Sequence, residues 1–122
     1  HKIDHLQGMT KINLNDKKPF KIYILNNLPR TQFKAILAHE LLHIWLYKKS
    51  IFLDNSTMEG FCNLGSYLIY NLADTKFSNI HLMSLENNDK NPDAYKYKIL
   101  KSMVEKKSFK YILKNIKTID IP

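Results

Sequence analysis

Cysteine is almost absent from this chain of 122 residues, in which Cys62 is the only one. A single cysteine excludes an intrachain disulfide, and it also excludes the multi-cysteine zinc modules such as zinc ribbons and LIM domains. Any metal ion that the chain binds must therefore be held by histidine and carboxylate side chains.

Long apolar runs are absent as well. No segment approaches the roughly 18 apolar residues that a membrane span requires, and no cationic segment followed by an apolar one has the form of a leader. The composition, 44% hydrophobic and 25% charged residues, is typical of one soluble globular domain. Because the chain begins at His1 rather than Met, we expect a processed product or a piece of a longer protein, which leaves the compartment open.

Arginine is scarce, although the formal net charge is +8: Arg30 is the only arginine. Arginine is the preferred residue for contacts to base edges, and the lysines are scattered along the chain. We therefore expect a solvated lysine surface and no nucleic-acid partner, with a binding surface for an acidic partner as the alternative. The lysines are densest toward the C-terminus, at Lys96, Lys98, Lys101, Lys106, Lys107, Lys110, Lys114 and Lys117.

The pattern of apolar residues predicts strands early in the chain and helices after them. Residues 18–25 alternate and are rich in aromatic and β-branched side chains, which predicts a strand, and residues 12–14 are a candidate for a second one. Pro29 bars a helix before it, so Thr31 is the expected N-cap of a helix that runs to about Lys48. This helix is apolar on nearly every side, which marks it as central.

Three further helices complete the prediction of a small α+β domain with a short N-terminal sheet. They are expected over residues 57–73, 92–107 and 108–116, with an irregular polar segment over 74–91. One of residues 54–57 is expected to cap the first of them.

The central helix carries two imidazoles and a carboxylate in an apolar segment, "AILAHELLHI" over residues 35–44. Burying such groups without partners costs several kcal/mol each. His39 and His43, four residues apart, lie on one face of a helix and can bind one zinc ion. Glu40 beside them can act as the general base, which makes the segment an H-E-x-x-H motif of zinc metallopeptidases. Two histidines satisfied by hydrogen bonds in a core are the alternative.

A catalytic zinc ion needs a third protein ligand and an open position for water. We favour Glu59, because the connection before it is long enough to fold its helix back across the first. Its alternative role is to complement the N-terminus of that helix. The other residues that could bind zinc are Asp54, His81, Glu86, His1 and His5. Cys62 could bind zinc too, but as the neighbour of Phe61 and Leu64 it is more readily a small core residue.

The oxyanion that develops during peptide hydrolysis needs a hydrogen-bond donor. Tyr95 is our candidate catalytic residue for this role, because it precedes a lysine-rich helical stretch and could face the cleft. His81 and Tyr97 are the alternatives, and simple packing would also explain these tyrosines.

Several motifs together resemble the peptidase domain of the "DA-one-like" family, the ubiquitin-activated metallopeptidases that limit organ growth in plants. The shared features are a strand, "NLPR" where the family has a "GLPR"-like break, "ILAHELLH", Trp45 and "EGFC" at residues 59–62. Residues 93–116, "DAYKYKILKSMVEKKSFKYILKNI", resemble the family's C-terminal helices more weakly. The resemblance covers about residues 21–117. The chain lacks the family's ubiquitin-interacting segments, its LIM module and its glycine-rich turn near Tyr95.

The resemblance implies a gluzincin-type, zincin-like fold with the H-E-x-x-H helix at its centre. It also implies one catalytic Zn²⁺ with His39, His43 and Glu59 as ligands and Glu40 as the base. Residues 1–122 would then be a single zinc metallopeptidase domain that cleaves a protein or peptide substrate through a zinc-activated water. Because the domain is small, we also expect that a prodomain, a missing N-terminal domain or a regulatory partner completes its cleft.

Two expectations bear on how such a domain meets its partner. The strand at residues 20–25 is a candidate edge for an extended substrate. The rival to the peptidase is a catalytically silent protein-binding module, in which zinc only stabilises the fold and the lysine surface binds a partner.

Overall fold

The computed structural model describes residues 7–87 and 91–121. In this part of the chain a two-stranded antiparallel sheet is followed by five helices, which confirms the predicted α+β class. The elements are β1 (Gly8–Ile12), β2 (Phe20–Ile24), α1 (Arg30–Lys48), α2 (Asn55–Ala73), α3 (Lys76–Glu86), α4 (Pro92–Lys106) and α5 (Phe109–Asn115).

The first strand lies earlier than the sequence predicts. β1 pairs with β2 from Gly8 opposite Ile24 to Ile12 opposite Phe20, whereas we expected a strand over residues 12–14. The reason is the hairpin connection, in which the Asn13 N–H donates to the Pro19 carbonyl and the Asp16 N–H to the Asn13 carbonyl. Residues after Ile12 therefore form the turn instead of extending the ladder.

α1 begins one residue before the predicted cap. Pro29 occupies the N-cap position without a side-chain hydrogen bond, and its carbonyl accepts from the Phe33 N–H at 2.9 Å. The expected capping role of Thr31 is therefore wrong, because Thr31 lies inside the first turn. The helix ends at Lys48 as predicted. It is less buried than its sequence indicates, since Phe33 and Leu41 are 43% and 50% exposed.

α2 packs against both α1 and α4, and it begins with a strong cap. The Asp54 carboxylate accepts from the Thr57 N–H at 3.2 Å and from the Thr57 hydroxyl at 2.6 Å. These bonds hold the pKa of Asp54 down at about 2, because they favour the ionised carboxylate. Asp54 thus supplies the cap that we expected from residues 54–57.

α3 lies where we predicted an irregular segment, so that prediction is wrong. A reciprocal capping box starts it: the Ser78 N–H donates to the Thr75 hydroxyl at 3.0 Å, and the Thr75 N–H donates to the Ser78 hydroxyl at 2.7 Å. Leu82 and Leu85 then pack on the core. Five of the eleven residues of α3 are apolar but three of these are exposed, so the tertiary contacts of Leu82 and Leu85 stabilise the helix more than its own propensity does.

The core lies mainly between α2, α4 and α5. Its largest fully buried side chains are Tyr97, Phe61, Leu64, Leu100, Ile112 and Ile116. α4 begins at Pro92, with the Asn91 side chain accepting from the Asp93 N–H at 2.9 Å. None of the helices in the described part of the chain is both long and apolar enough to cross a membrane.

Candidate metal centre

His39, Glu40 and His43 lie in the middle of α1, where the helix faces β1 on one side and α2 on another. The four-residue spacing stacks the two imidazoles, whose ring centroids are 5.0 Å apart. Their Nε2 atoms are 3.2 Å apart and therefore point at one place.

Small residues on α2 let it approach the backbone of α1. A Cβ atom on Gly65 would meet the Ala38 carbonyl oxygen at 2.9 Å, which is too close for any residue but glycine. The neighbouring Ser66 hydroxyl donates to the Ala35 carbonyl at 2.9 Å in a buried position. This close crossing places Glu59, at an earlier turn of α2, opposite the two histidines.

Glu59 bridges the two imidazoles. Its Oε1 is 3.3 Å from His39 Nε2, and its Oε2 is 3.1 Å from His43 Nε2. Ligands about 2.0–2.2 Å from a tetrahedral zinc ion lie roughly 3.3 Å from one another. The Nε2–Nε2 distance of 3.2 Å and the distance from each nitrogen to its Glu59 partner oxygen, 3.1 to 3.3 Å, are close to this value, with each nitrogen beside a different oxygen of the carboxylate. Two imidazole nitrogens and one carboxylate are a donor set that fits a zinc ion.

The charges of this group also suit a cation. Burial by itself would raise the pKa of Glu59, but hydrogen bonds and charge interactions with His39 and His43 bring it down to about 2. Burial would lower the pKa of His43, but the hydrogen bond and charge of Glu59, with the charge of Glu40, raise it overall. Glu59 is therefore an anion at neutral pH, and it faces two nitrogen ligands.

Cys62 is the competing third ligand. Its sulfur and one ring nitrogen from each of His39 and His43 all lie within 4.8 Å of one another. The thiol is fully buried in the core. Burial, together with the charges of Glu59 and Glu40, raises its pKa well above the ordinary value. Cysteine binds a metal ion as its thiolate, so we favour Glu59, which is already ionised.

Glu40 lies beside the three donors and is held by another element. Its Oε1 accepts a hydrogen bond of 2.8 Å from the Thr10 hydroxyl on β1, and its Oε2 is 3.8 Å from His39 Nε2. The Glu40 side chain is only 9% exposed. Gly8 allows β1 to approach this closely, since a Cβ atom there would collide with the Ile36 side chain. The carboxylate is thus fixed in orientation beside His39, His43 and Glu59.

One open cavity of about 630 Å³ contains the whole group. Besides His39, Glu40, His43 and Glu59, its lining residues are Gly8, Met9, Asn55 and Asp93. Burial raises the pKa of Asp93, and the charge of Glu59 raises it further. The strand in this lining is β1, whereas we expected β2 to border the site. β1 is therefore the nearer edge for an extended ligand.

Tyr95 does not line this cavity in the part of the chain that the structure describes. It follows Asp93 by two residues on α4, a rotation of about 200° around the helix, and it is 46% exposed. A role for Tyr95 at the oxyanion stays a prediction that these contacts do not favour. Its alternative Tyr97 is fully buried and packs edge-on against Tyr67.

The other candidate ligands have other neighbours. Asp54 caps α2, and Glu86 pairs with Lys101 at 3.4 Å. His81 stacks on the Tyr70 ring at 4.9 Å, although it borders a second cavity that also reaches His39 and Glu40. His1 and His5 lie outside the described residues.

The family of the chain follows from comparison with known protein families. The family model described as DA1-like, Protein DA1, matches residues 6–122. The chain belongs to the DA1-like family. No curated protein and no solved structure matches the chain significantly. The predicted family is therefore confirmed, and in this DA1-like chain the H-E-x-x-H helix and Glu59 lie in one cavity.

Sequence reasoning missed Thr10, Gly8 and Asp93 in this DA1-like site. Thr10 and Gly8 are two residues apart on a strand, a spacing that places both on the same face. This spacing would have indicated that both residues pack on α1 only if the strand had been predicted at residues 8–12 instead of 12–14. Asp93 follows Pro92 at a helix start, a position where a carboxylate is usual for reasons of helix stability alone.

Proposed function

We propose that this DA1-like domain is a zinc-dependent metalloendopeptidase of gluzincin type, formed by residues 1–122 as a single domain. The observation that carries the proposal is the convergence of His39, His43 and Glu59 at separations of 3.1 to 3.3 Å, with Glu40 held beside them. Two further carboxylates in the cavity, those of Glu40 and Asp93, add negative charge around the ligands and support binding of a divalent cation.

His39, His43 and Glu59 would hold the ion. Bound there, zinc would act as a Lewis acid that polarises the substrate carbonyl and makes a water molecule more acidic. The remaining work belongs to the side chains of the chain itself. Among them, Glu40 is the only carboxylate in the H-E-x-x-H motif and is not one of the three converging ligands.

Glu40 is the proposed general base. Thr10 donates to its Oε1, so its Oε2, which lies toward His39, is the atom that takes the proton from the attacking water. The same carboxylic acid then returns the proton to the leaving amine. Its burial excludes bulk water from the transfer, and the Thr10 hydroxyl keeps it from rotating away.

β1 is the proposed docking edge for the peptide. One edge of β1 pairs with β2, and Gly8 and Met9 line the cavity. An extended substrate can add to a strand edge through main-chain hydrogen bonds, which gives affinity without strict sequence demands. The peptide bond would then cross the cavity over the three ligands. Tyr95 remains a proposed oxyanion donor only if α4 moves on substrate binding.

A protein-binding module is the second candidate function, and one observation favours it. Four large apolar residues near the end of α2 and along α3 are well exposed, between 38% and 85%; they are Leu72, Phe77, Ile80 and Met83. Exposed apolar patches often mark protein-binding surfaces. In this alternative the metal ion only stabilises the fold, and no peptide bond is cleaved.

Metal content and hydrolysis test the proposal together. The purified protein should bind one zinc ion per chain, and the His39→Ala and His43→Ala variants should lose it. The zinc-loaded wild type should cleave members of a broad peptide library, and a chelator should stop the cleavage. Full zinc content in both histidine variants would remove the proposed centre, and a zinc-loaded wild type without hydrolysis would favour the binding module.

A further inference from the structure

A third cavity, which we call the apolar pocket, lies beside the candidate metal centre. It has a volume of about 310 Å³, at the lower end of the range for ligand pockets. Glu40 and His43 line both the apolar pocket and the larger cavity around the metal ligands. A group that occupies the apolar pocket would therefore be next to the atoms that carry out the proposed reaction.

The wall of the apolar pocket away from Glu40 and His43 is hydrocarbon. Leu46 from α1, which is 3% exposed, Ile51 and Leu53 from the α1–α2 connection, and Met58 from α2 all line it. These four side chains belong to the hydrophobic core or pack directly against it. The wall is therefore fixed by the fold, so the pocket is formed before a ligand arrives.

The rim is also apolar but is open to solvent. Phe52 is 83% exposed and Ile12 at the end of β1 is 37% exposed, and both line the pocket. Tyr47 completes the rim, with its ring edge-on to Phe20 at 5.9 Å. Among the described residues that line the pocket there is no lysine, arginine or aspartate, and the only carboxylate is Glu40 at the metal end.

We infer that the apolar pocket binds an uncharged, apolar side chain of the peptide substrate, adjacent to the bond that is cleaved. The inference rests on the proposed function, which sets the direction of the peptide. The position of the side chain follows from Glu40 and His43, because these two residues line both cavities. A charged side chain would lose its hydration against hydrocarbon without gaining a partner. A leucine or phenylalanine side chain would instead remove its own surface and that of Phe52 and Ile12 from water.

A binding measurement on a catalytically disabled protein separates this inference from the peptidase proposal. The zinc-loaded Glu40→Gln variant is titrated with capped alanine hexapeptides that carry one leucine, phenylalanine or aspartate at successive positions. At one position, the leucine or phenylalanine peptide should bind about tenfold or more tightly than its aspartate counterpart. In the same background, Ile12→Trp should remove most of this preference because the larger ring fills the rim.

Leu14→Trp is the matched control, since Leu14 is an exposed aliphatic residue in the hairpin turn that does not line the pocket. It should leave the preference unchanged. Equal affinity for all peptides, no binding of any peptide, or a preference insensitive to Ile12→Trp would overturn the inference. Self-association in sedimentation that Ile12→Trp abolishes would also overturn it, because a second copy would then occupy the pocket. If the Glu40→Gln variant shows the preference but the wild type hydrolyses no peptide, only the peptidase proposal is wrong. If the wild type hydrolyses peptides but the variant shows no preference, only the inference about the apolar pocket is wrong.

Discussion

At the scale of single residues, Glu59 decides whether the two histidines of α1 form a metal site or a hydrogen-bonded pair. It is the carboxylate that reaches both imidazoles, at 3.3 and 3.1 Å. Without Glu59, the two Nε2 atoms would face each other and one would donate a hydrogen bond to the other. Cys62 would then be the alternative third ligand.

Exchange of the third ligand is therefore the first prediction. Glu59→Gln should weaken zinc binding by at least about tenfold, because an amide cannot supply the anionic oxygen that zinc prefers. Cys62→Ser should change zinc affinity little, although it should lower stability because it places a hydroxyl in the core. Affinities are measured by competition with a chromophoric chelator. The reverse ranking would make Cys62 the ligand, and collapse only in His81→Ala would assign His81.

Thr10 is the residue through which β1 acts on Glu40. Thr10→Val keeps the β-branched shape that suits a strand but removes the hydroxyl that donates to Oε1. A hydrogen bond to a charged group contributes about 1.5–3 kcal/mol, so kcat should fall by about tenfold or more. KM and zinc content should change little.

Thr10→Ser is the matched control, because serine keeps the hydroxyl and should retain most of the activity. Equal kcat values for the wild type and Thr10→Val would show that Glu40 needs no support from β1. A loss of zinc in Thr10→Val would instead indicate a structural role for the strand.

At the scale of elements, the close crossing of α1 and α2 builds the centre, and Gly65 makes it possible. Gly65→Ala would raise the intrinsic helix propensity of α2 by about 1 kcal/mol. However, its methyl group would meet the Ala38 carbonyl oxygen, a backbone atom that cannot turn aside. We expect a net loss of about 1–3 kcal/mol in the free energy of unfolding, measured in urea, and weaker zinc binding.

Asn71→Ala on the exposed face of α2 provides the control for this substitution. It should stay within about 0.5 kcal/mol of the wild type, as is usual for surface changes. If Gly65→Ala proved as stable as Asn71→Ala, the helices would not be in backbone contact, and the arrangement of Glu59 opposite the histidines would lose its support.

The elements also show what the sequence could and could not predict. α1 and α2 have long apolar patterns, and their spans were predicted to within two residues at each end. α3 was missed because its polar residues hide a helix that the Thr75–Ser78 capping box and the contacts of Leu82 and Leu85 stabilise. The hydrogen bond from Thr10 to Glu40 could not be predicted, because it depends on how a strand docks 30 residues away along the chain.

At the scale of the whole molecule, metal ions and protons compete for His43, so the stability that each contributes should change with pH in opposite directions. In the metal-free protein the pKa of His43 is raised above 6.5, so its interaction with Glu59 stabilises the fold below about pH 6.5 and is lost as the pH rises through the higher value. The pKa of Glu59 is lowered from 4.5 to about 2, so its contribution is present above pH 4.5 and is lost as the pH falls toward 2.

The metal-free protein should therefore lose stability as the pH rises from about 6.5 through the raised pKa of His43, with a lower Tm in calorimetry. Zinc binds neutral imidazole, so the gain in Tm on adding zinc should grow over the same interval. At free zinc 1,000 times the Kd, the gain corresponds to about 4 kcal/mol. The His43→Gln variant should show neither effect. A metal-free Tm that rises steadily from pH 6 to pH 8 would argue against the His43–Glu59 interaction.

In the proposed enzyme, Glu40 moves a proton and does not hold the metal ion. The most direct test compares hydrolysis of the same library peptides by zinc-loaded wild type and zinc-loaded Glu40→Gln. The variant should keep its fold and one zinc ion per chain, and its rate should fall by about 10²–10⁴-fold or more. Equal rates of hydrolysis by the two proteins, with zinc in place in both, would contradict the role of Glu40 and the peptidase proposal with it.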